Sequence, residues 1–179
     1  TAPLSEELIT ESNATYTVVF TQKAFSVTAS FTSGGSAKIS DPSSPNAADG
    51  KYLCDTTITL KATPKDSCYY FVKWEETKGG EQPKEITTQT QGYTCSTTDG
   101  VNTLVVVVDT TAEYKAYFEK YDRTLQVKDS TGGSASILNS EDKQVTVKCD
   151  STLTIVATPD ACYSFDHWEK DGAPIEGND

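Results

Sequence analysis

The segment Gly34-Gly35-Ser36-Ala37 returns as Gly132-Gly133-Ser134-Ala135, and much of the chain around it returns as well. The same 98-residue offset carries Ile39 onto Ile137, Tyr16 onto Tyr114 and Phe20 onto Phe118. Downstream, the eleven residues from Cys54 to Pro64 recur from Cys149 as C-D-S-T-L-T-I-V-A-T-P, now at an offset of 95. Cys68-Tyr69-Tyr70-Phe71-Val72-Lys73-Trp74-Glu75 then returns as Cys162-Tyr163-Ser164-Phe165-Asp166-His167-Trp168-Glu169. Self-similarity at a fixed period is the signature of repeated supersecondary units, so the chain is expected to fold as modules in series.

Within each unit the hydrophobic period is two. Tyr16, Val18 and Phe20 alternate with Thr15 and Thr17, and Phe25, Val27, Ala29 and Phe31 alternate with small polar residues. Ile58, Leu60 and Ala62 repeat the pattern, as do Leu153, Ile155 and Ala157. This alternation, rich in valine and threonine, predicts half-buried strands. Leu104 to Val108 is a continuous apolar run and predicts a central strand covered on both faces. Turns are marked at Gly34-Gly35, Asp99-Gly100 and Gly132-Gly133, and a short helical turn is expected only near Ser5–Leu8. The predicted fold class is all-β or mostly β.

Two phasings fit the repeat. In one, residues 1–22 end a repeat, 23–120 form a full one and 121–179 begin another that lacks the strands following Trp74. In the other, the unit starts with the Tyr16–Phe20 strand and the chain holds two modules, 1–80 and 81–179, divided at the K-G-G-E-Q-P-K segment. Its Gly, Pro and charge suit an exposed linker. An ordered fragment of this length favours the second.

The order of motifs resembles the divergent internalin-type B-repeat, related to the Listeria–Bacteroides repeat of bacterial surface proteins. Gly34-Gly35, Thr57–Pro64, Tyr69–Trp74 and Asp109–Phe118 supply the full set. Glu11–Phe20 supplies an extra final strand, and Gly132-Gly133 through Trp168 another first part. The sequence departs from the family at Cys68 and Cys162, where glycine is common, and in the long insertion between Trp74 and Val101. The resemblance implies small β-grasp-like or β-sandwich-like modules, strung in arrays on exported proteins as stalks or adhesive units, with no common catalytic residues.

Cys54 and Cys68 reappear together as Cys149 and Cys162, as a structural disulfide preserved through duplication would. Closing loops of about 13 residues would stabilise each module by roughly 3 kcal/mol in the chain-entropy model and place the protein outside the cytoplasm. However, residues 54–62, if all extended, cover roughly 26 Å. The chain must then double straight back to bring the two Cα atoms within about 7 Å, which leaves pairing with Cys95 open. The repeat partner of Cys95 would lie beyond Asp179, and Cys95 is the candidate free or inter-chain thiol.

No metal site or cofactor is expected: there is no short C-x-x-C knuckle, His167 is the only histidine, and no calcium-loop spacing occurs. His167 replaces Lys73 in the repeat and reads as a surface residue. Phe71, Trp74, Phe165 and Trp168 recur in both units and read as core anchors. Tyr69, Tyr70, Tyr93 and Tyr121 are the candidate ligand-binding aromatics. The acidic pairs Glu75-Glu76 and Glu141-Asp142 read as a solvated face, because acid–base catalysis needs one desolvated carboxyl opposite another.

The formal charge of −11, with no basic stripe, argues against a nucleic-acid partner. No stretch approaches the roughly 20 apolar residues of a membrane span. The chain has no methionine and Thr1–Thr10 lacks the basic and apolar regions of a signal peptide, so a parent protein that begins upstream is expected. The expected function is therefore a non-catalytic structural or adhesive module, extracellular, whose partners are adjacent repeats. The alternative is a module that binds host or bacterial glycans or proteins through exposed aromatics. Nothing assembles a nucleophile, base and oxyanion site, so an enzyme is not expected.

Overall fold

The computed structural model describes Ser5, residues 13–87 and residues 89–175. The first ten strands are β1 (Ala24–Phe25), β2 (Val27–Phe31), β3 (Gly35–Asp41), β4 (Tyr52–Leu53), β5 (Thr57–Pro64), β6 (Tyr69–Lys78), β7 (Lys84–Ile86), β8 (Thr94–Thr98), β9 (Val101–Val107) and β10 (Ala112–Lys120). They form two four-stranded sheets, ordered β2-β10-β6-β7 and β3-β5-β9-β8, with β1 and β4 paired beside them. The described residues are mostly β, with a single 3-10 turn at Ala48–Gly50, and the remainder of the predicted helical turn, Glu6–Leu8, lies outside them.

Alternation in sequence becomes alternation in burial. Ile58, Leu60 and Ala62 of β5 are buried, as are Leu104 and Val106 of β9, and they meet Trp74, Tyr114, Ala116 and Phe118 from the other sheet in one core. β9 lies between β5 and β8, so it is interior to its sheet. Its burial alternates, however, and Val107 is exposed, so one face of the sheet is open and the run is not covered on both sides. β6 and β7 pair antiparallel across Gly79-Gly80, which makes that segment a hairpin turn. A division at residue 80 would cut this sheet.

Six further strands follow: β11 (Asp122–Gln126), β12 (Gly133–Ile137), β13 (Gln144–Lys148), β14 (Ile155–Pro159), β15 (Trp168–Lys170) and β16 (Ala173–Ile175). Their pairing repeats that of the first module in register. Ala24 faces Leu53 as Asp122 faces Lys148, and Gly35 faces Pro64 as Gly133 faces Pro159. Trp74 faces Ile86 as Trp168 faces Ile175. Gly34 (φ +105°) and Gly132 (φ +95°) both take a conformation other residues rarely adopt, and a Cβ at either would overlap the ring of Tyr69 or Tyr163.

The modules differ in what closes them. β10 lies between β2 and β6 in the first module, with Ala116 opposite Trp74. Among the described residues no strand holds that place in the second, nor the places of β8 and β9. The aromatic pair survives, with ring centroids 5.8 Å apart for Phe71–Trp74 and 5.7 Å for Phe165–Trp168. Burial does not. Trp74 is fully buried and Phe71 packs against the core, whereas Trp168 is half-buried and Phe165 is 51% exposed. The expectation that Phe165 anchors a core is therefore corrected, because among the described residues no strand takes the place of β10, whose Phe118 packs against Phe71.

The Tyr16–Phe20 segment, expected to be a strand, has no strand pairing, and Val18, Val19 and Phe20 are 72%, 83% and 86% exposed. Its sequence suits a strand, but a strand needs a neighbour.

The contrast is measurable. Trp74→Ala removes a filled core position and the donor to Asn102 Oδ1 (2.6 Å), and is expected to cost about 3–5 kcal/mol. Trp168→Ala is expected to cost on the order of 1 kcal/mol. Urea midpoints followed by circular dichroism compare the two.

Candidate functional site

The junction between the modules concentrates the chemistry of the chain. β10 runs into β11 through one residue, Tyr121. Its N–H donates to the Cys68 carbonyl (2.9 Å), and its own carbonyl accepts from the Cys149 N–H (2.9 Å). The side chains of Cys68 and Cys149 are joined in a disulfide with Cα atoms 5.4 Å apart. Lys120 Nζ donates to the Cys149 carbonyl (3.0 Å) and lies 3.6 Å from Asp150. The Tyr70 and Tyr121 rings meet with centroids 4.7 Å apart.

This overturns the expected pairing of Cys54 with Cys68 and of Cys149 with Cys162. The reason is the extended run of β5, which carries the chain away from Cys54 before Cys68. The bond that forms joins the second cysteine of one module to the first cysteine of the next. Cys54 (half-buried) and Cys162 (exposed) carry free thiols. Cys95 is also free; it is half-buried, packs against the core and donates to Asn102 Oδ1 at 3.4 Å.

The Sγ atoms of Cys68 and Cys149 and the Asp150 carboxylate lie within 4.8 Å of one another. With both sulfurs spent in the disulfide there is no thiolate to offer a metal. His167 is exposed beside Asp166 (2.6 Å), whose hydrogen bond raises its pKa, and the Asp166 carboxylate is itself open to solvent.

The aromatic candidates divide. Tyr69 and Tyr121 line a shallow cleft of about 410 Å³ at the junction, with Pro64 and Gly100. Tyr70 donates to Glu119 (3.0 Å) and stacks on Tyr121. Tyr93 instead points inward and donates to Glu76 Oε2 (2.5 Å).

Glu76 is the residue misread in the sequence. It is buried, not solvated, and also accepts from Tyr114 (2.7 Å), with Lys78 Nζ at 3.6 Å. Trp74 points inward, so a period of two places Glu76 on the same inner face, and that was the available signal. Burial first, and then the hydrogen bond to Glu76, push both phenols above their ordinary pKa. The cluster ties β10 and the segment before β8 to β6. The other acidic pair, Glu141-Asp142, is exposed as expected.

The second module's open side is a trough of about 1550 Å³, lined in part by Leu125, Val127, Leu153, Tyr163, Phe165 and Trp168.

These features define a tandem all-β repeat whose consecutive modules are covalently linked. The family model for the divergent InlB B-repeat domain matches residues 32–120 and again 123–178, and the chain belongs to that family. No curated protein and no solved structure matches it.

The tyrosine cluster sets an alkaline limit. A phenol whose folded pKa is raised contributes stability that is complete below the unfolded value of about 10 and is lost as pH rises above it. Tyr93 and Tyr114 are expected to ionise only as the chain unfolds. In a spectrophotometric titration, Tyr93→Phe and Tyr114→Phe should each remove one late-titrating phenol.

Proposed function

We propose that the chain is a non-catalytic spacer module of an exported bacterial surface or secreted protein, holding neighbouring domains at a set distance and orientation for display or adhesion. The observation that carries this reading is the Cys68–Cys149 disulfide across the repeat junction. A stalk built of repeats is as stiff as its junctions, and here one residue, two backbone hydrogen bonds and a covalent bond define the junction. Such a bond persists in an oxidising compartment, which supports an extracellular location. The acidic surface keeps a long array soluble and free of self-association with anionic surfaces. Family membership supports the same reading, since these domains occur as repeats.

A second reading, a glycan- or protein-binding module, draws on the junction cleft. Tyr69 and Tyr121 offer apolar faces with polar tips there, a pairing suited to a sugar ring.

The spacer reading is tested by loosening the junction. The bonded cysteines lie 81 residues apart, and a loop of that length corresponds to about 4–5 kcal/mol in the chain-entropy model. In the Cys68→Ser chain, amide exchange at Tyr121 and Cys149 is expected to accelerate by roughly tenfold or more, with a broader distribution of molecular dimensions in small-angle scattering. Exchange and scattering identical to those of the oxidised chain would remove the case for a junction stiffened by the disulfide.

A further inference from the structure

Three metal-ligating groups from two modules meet at the junction. The Sγ atoms of Cys68 and Cys149 and a carboxylate oxygen of Asp150 lie within 4.8 Å of one another. The two cysteines are 81 residues apart in sequence, so no C-x-x-C spacing announces them. Backbone hydrogen bonds, and not only the disulfide, hold them together. The Tyr121 N–H donates to the Cys68 carbonyl and the Tyr121 carbonyl accepts from the Cys149 N–H, both at 2.9 Å. The Cys68 N–H donates to Asp66 Oδ1 (2.8 Å), which fixes the turn ahead of β6. Lys120 Nζ donates to the Cys149 carbonyl (3.0 Å). The two Cα atoms, 5.4 Å apart, are therefore kept near one another when the sulfur–sulfur bond is opened.

Asp150 completes the set. It follows Cys149 at φ +65°, a left-handed conformation that aspartate tolerates better than most residues, and Asp55 takes the same φ in the first module. Asp150 Oδ1 lies 3.1 Å from Cys68 Sγ, a sulfur that has no proton to donate while it is in the disulfide. Its other oxygen, Oδ2, is 3.6 Å from Lys120 Nζ. Charge suits a divalent cation here. Two thiolates and one carboxylate carry three negative charges, which Lys120 and a divalent ion balance. The neighbouring Asp122 and Lys148 pair with each other at 2.9 Å. Cys68 is buried while the Asp150 side chain is 59% exposed, so the cluster is sheltered on one side and open to entry on the other.

We propose that reduction of the Cys68–Cys149 bond converts the junction into a zinc site, with both thiolates and the Asp150 carboxylate as ligands and water in the fourth position. Zinc takes sulfur and carboxylate oxygen at about 2.0–2.3 Å in a tetrahedron, which sets its donors roughly 3.5–4 Å apart. Small rotations of the cysteine side chains reach that spacing from a cluster already within 4.8 Å. A small dithiol opens the bond by thiol–disulfide exchange, giving up two electrons and two protons and becoming a cyclic disulfide itself. Zinc then displaces the two cysteine protons to solvent and stays divalent throughout. Oxidation of the two thiolates by a small-molecule disulfide restores the bond and releases the ion. The modules are thus held by a disulfide in an oxidising medium and by a metal ion in a reducing one.

The test uses the full chain with Cys54→Ser, Cys95→Ser and Cys162→Ser, so that only the junction thiols remain. It is reduced with dithiothreitol, which is then removed by gel filtration without oxygen. Cobalt(II) is titrated in as a spectroscopic substitute for zinc. The expected result is one cobalt ion per reduced chain, with sulfur-to-cobalt charge-transfer bands, tetrahedral visible bands, and displacement by zinc. The oxidised chain should show no charge-transfer band. A ligand matters at least as much as the groups that orient one, so Asp150→Asn is expected to weaken affinity by roughly 10–100-fold. Asp122→Asn, which removes an equal charge at the same junction, should change it by a few-fold at most. Zinc should also slow amide exchange at Tyr121 in the reduced chain. The near-UV circular dichroism of the buried Trp74 reports that the first module stays folded. A reduced chain without charge-transfer bands would overturn the proposal. So would equal cobalt affinity in Asp150→Asn, or a Trp74 signal lost on reduction and not restored by zinc.

Discussion

β10 is the last strand of its module in sequence and an interior strand in space. It hydrogen-bonds to β2 on one side and β6 on the other, and it brings Tyr114, Ala116 and Phe118 into the core. Trp74 is fully buried because β10 lies beside it, and the Tyr114 hydroxyl reaches the buried Glu76 from the same strand. The second module shows what the rest amounts to where, among the described residues, no strand takes the places of β8, β9 and β10. Hairpins, turns and the aromatic pair all form in register, but the apolar face stays half open. Local structure in this fold is written into each segment, while burial is conferred by the strands that come last in the module.

The same strand makes the array continuous. Because β10 passes into β11 through Tyr121 alone, closing one module and positioning the next are a single event. The disulfide then fixes the position reached. A bond within each module would have stabilised the modules and left the connections between them as hinges. Bonding across the junction places the constraint where a chain of domains would otherwise bend.

Much of this was legible in the sequence. The 98- and 95-residue offsets give the register of both modules, and the period of two gives most of the strands. The disulfide pairing was not legible, because duplication preserves a bond between neighbouring repeats as faithfully as one within a repeat. Only the reach of β5 argued against the local pairing. Phe71 and Phe165 stand at the same place in a shared C-Y-x-F-x-x-W-E frame and differ in exposure, since Phe71 meets Phe118 of a strand far along the chain. Tyr16–Phe20 and Tyr114–Phe118 make the same point, since matching sequences are exposed in one place and paired as a strand in the other. Glu76 was misjudged from its polar neighbours, although alternation from Trp74 places it inside.

The parallel pairing of β2 with β10 also sets a timetable. Val27 faces Ala112, so the first of these strands to be made waits for nearly the whole module before its neighbour exists. At roughly 5–20 residues per second of synthesis, that wait is on the order of ten seconds. During it a half-built sandwich holds an apolar face open to every other nascent chain nearby, and pairings this distant in sequence are slow to form even once both strands are present. An array of such modules is thus most vulnerable to mispairing with its own kind while it is being made, one unfinished module at a time.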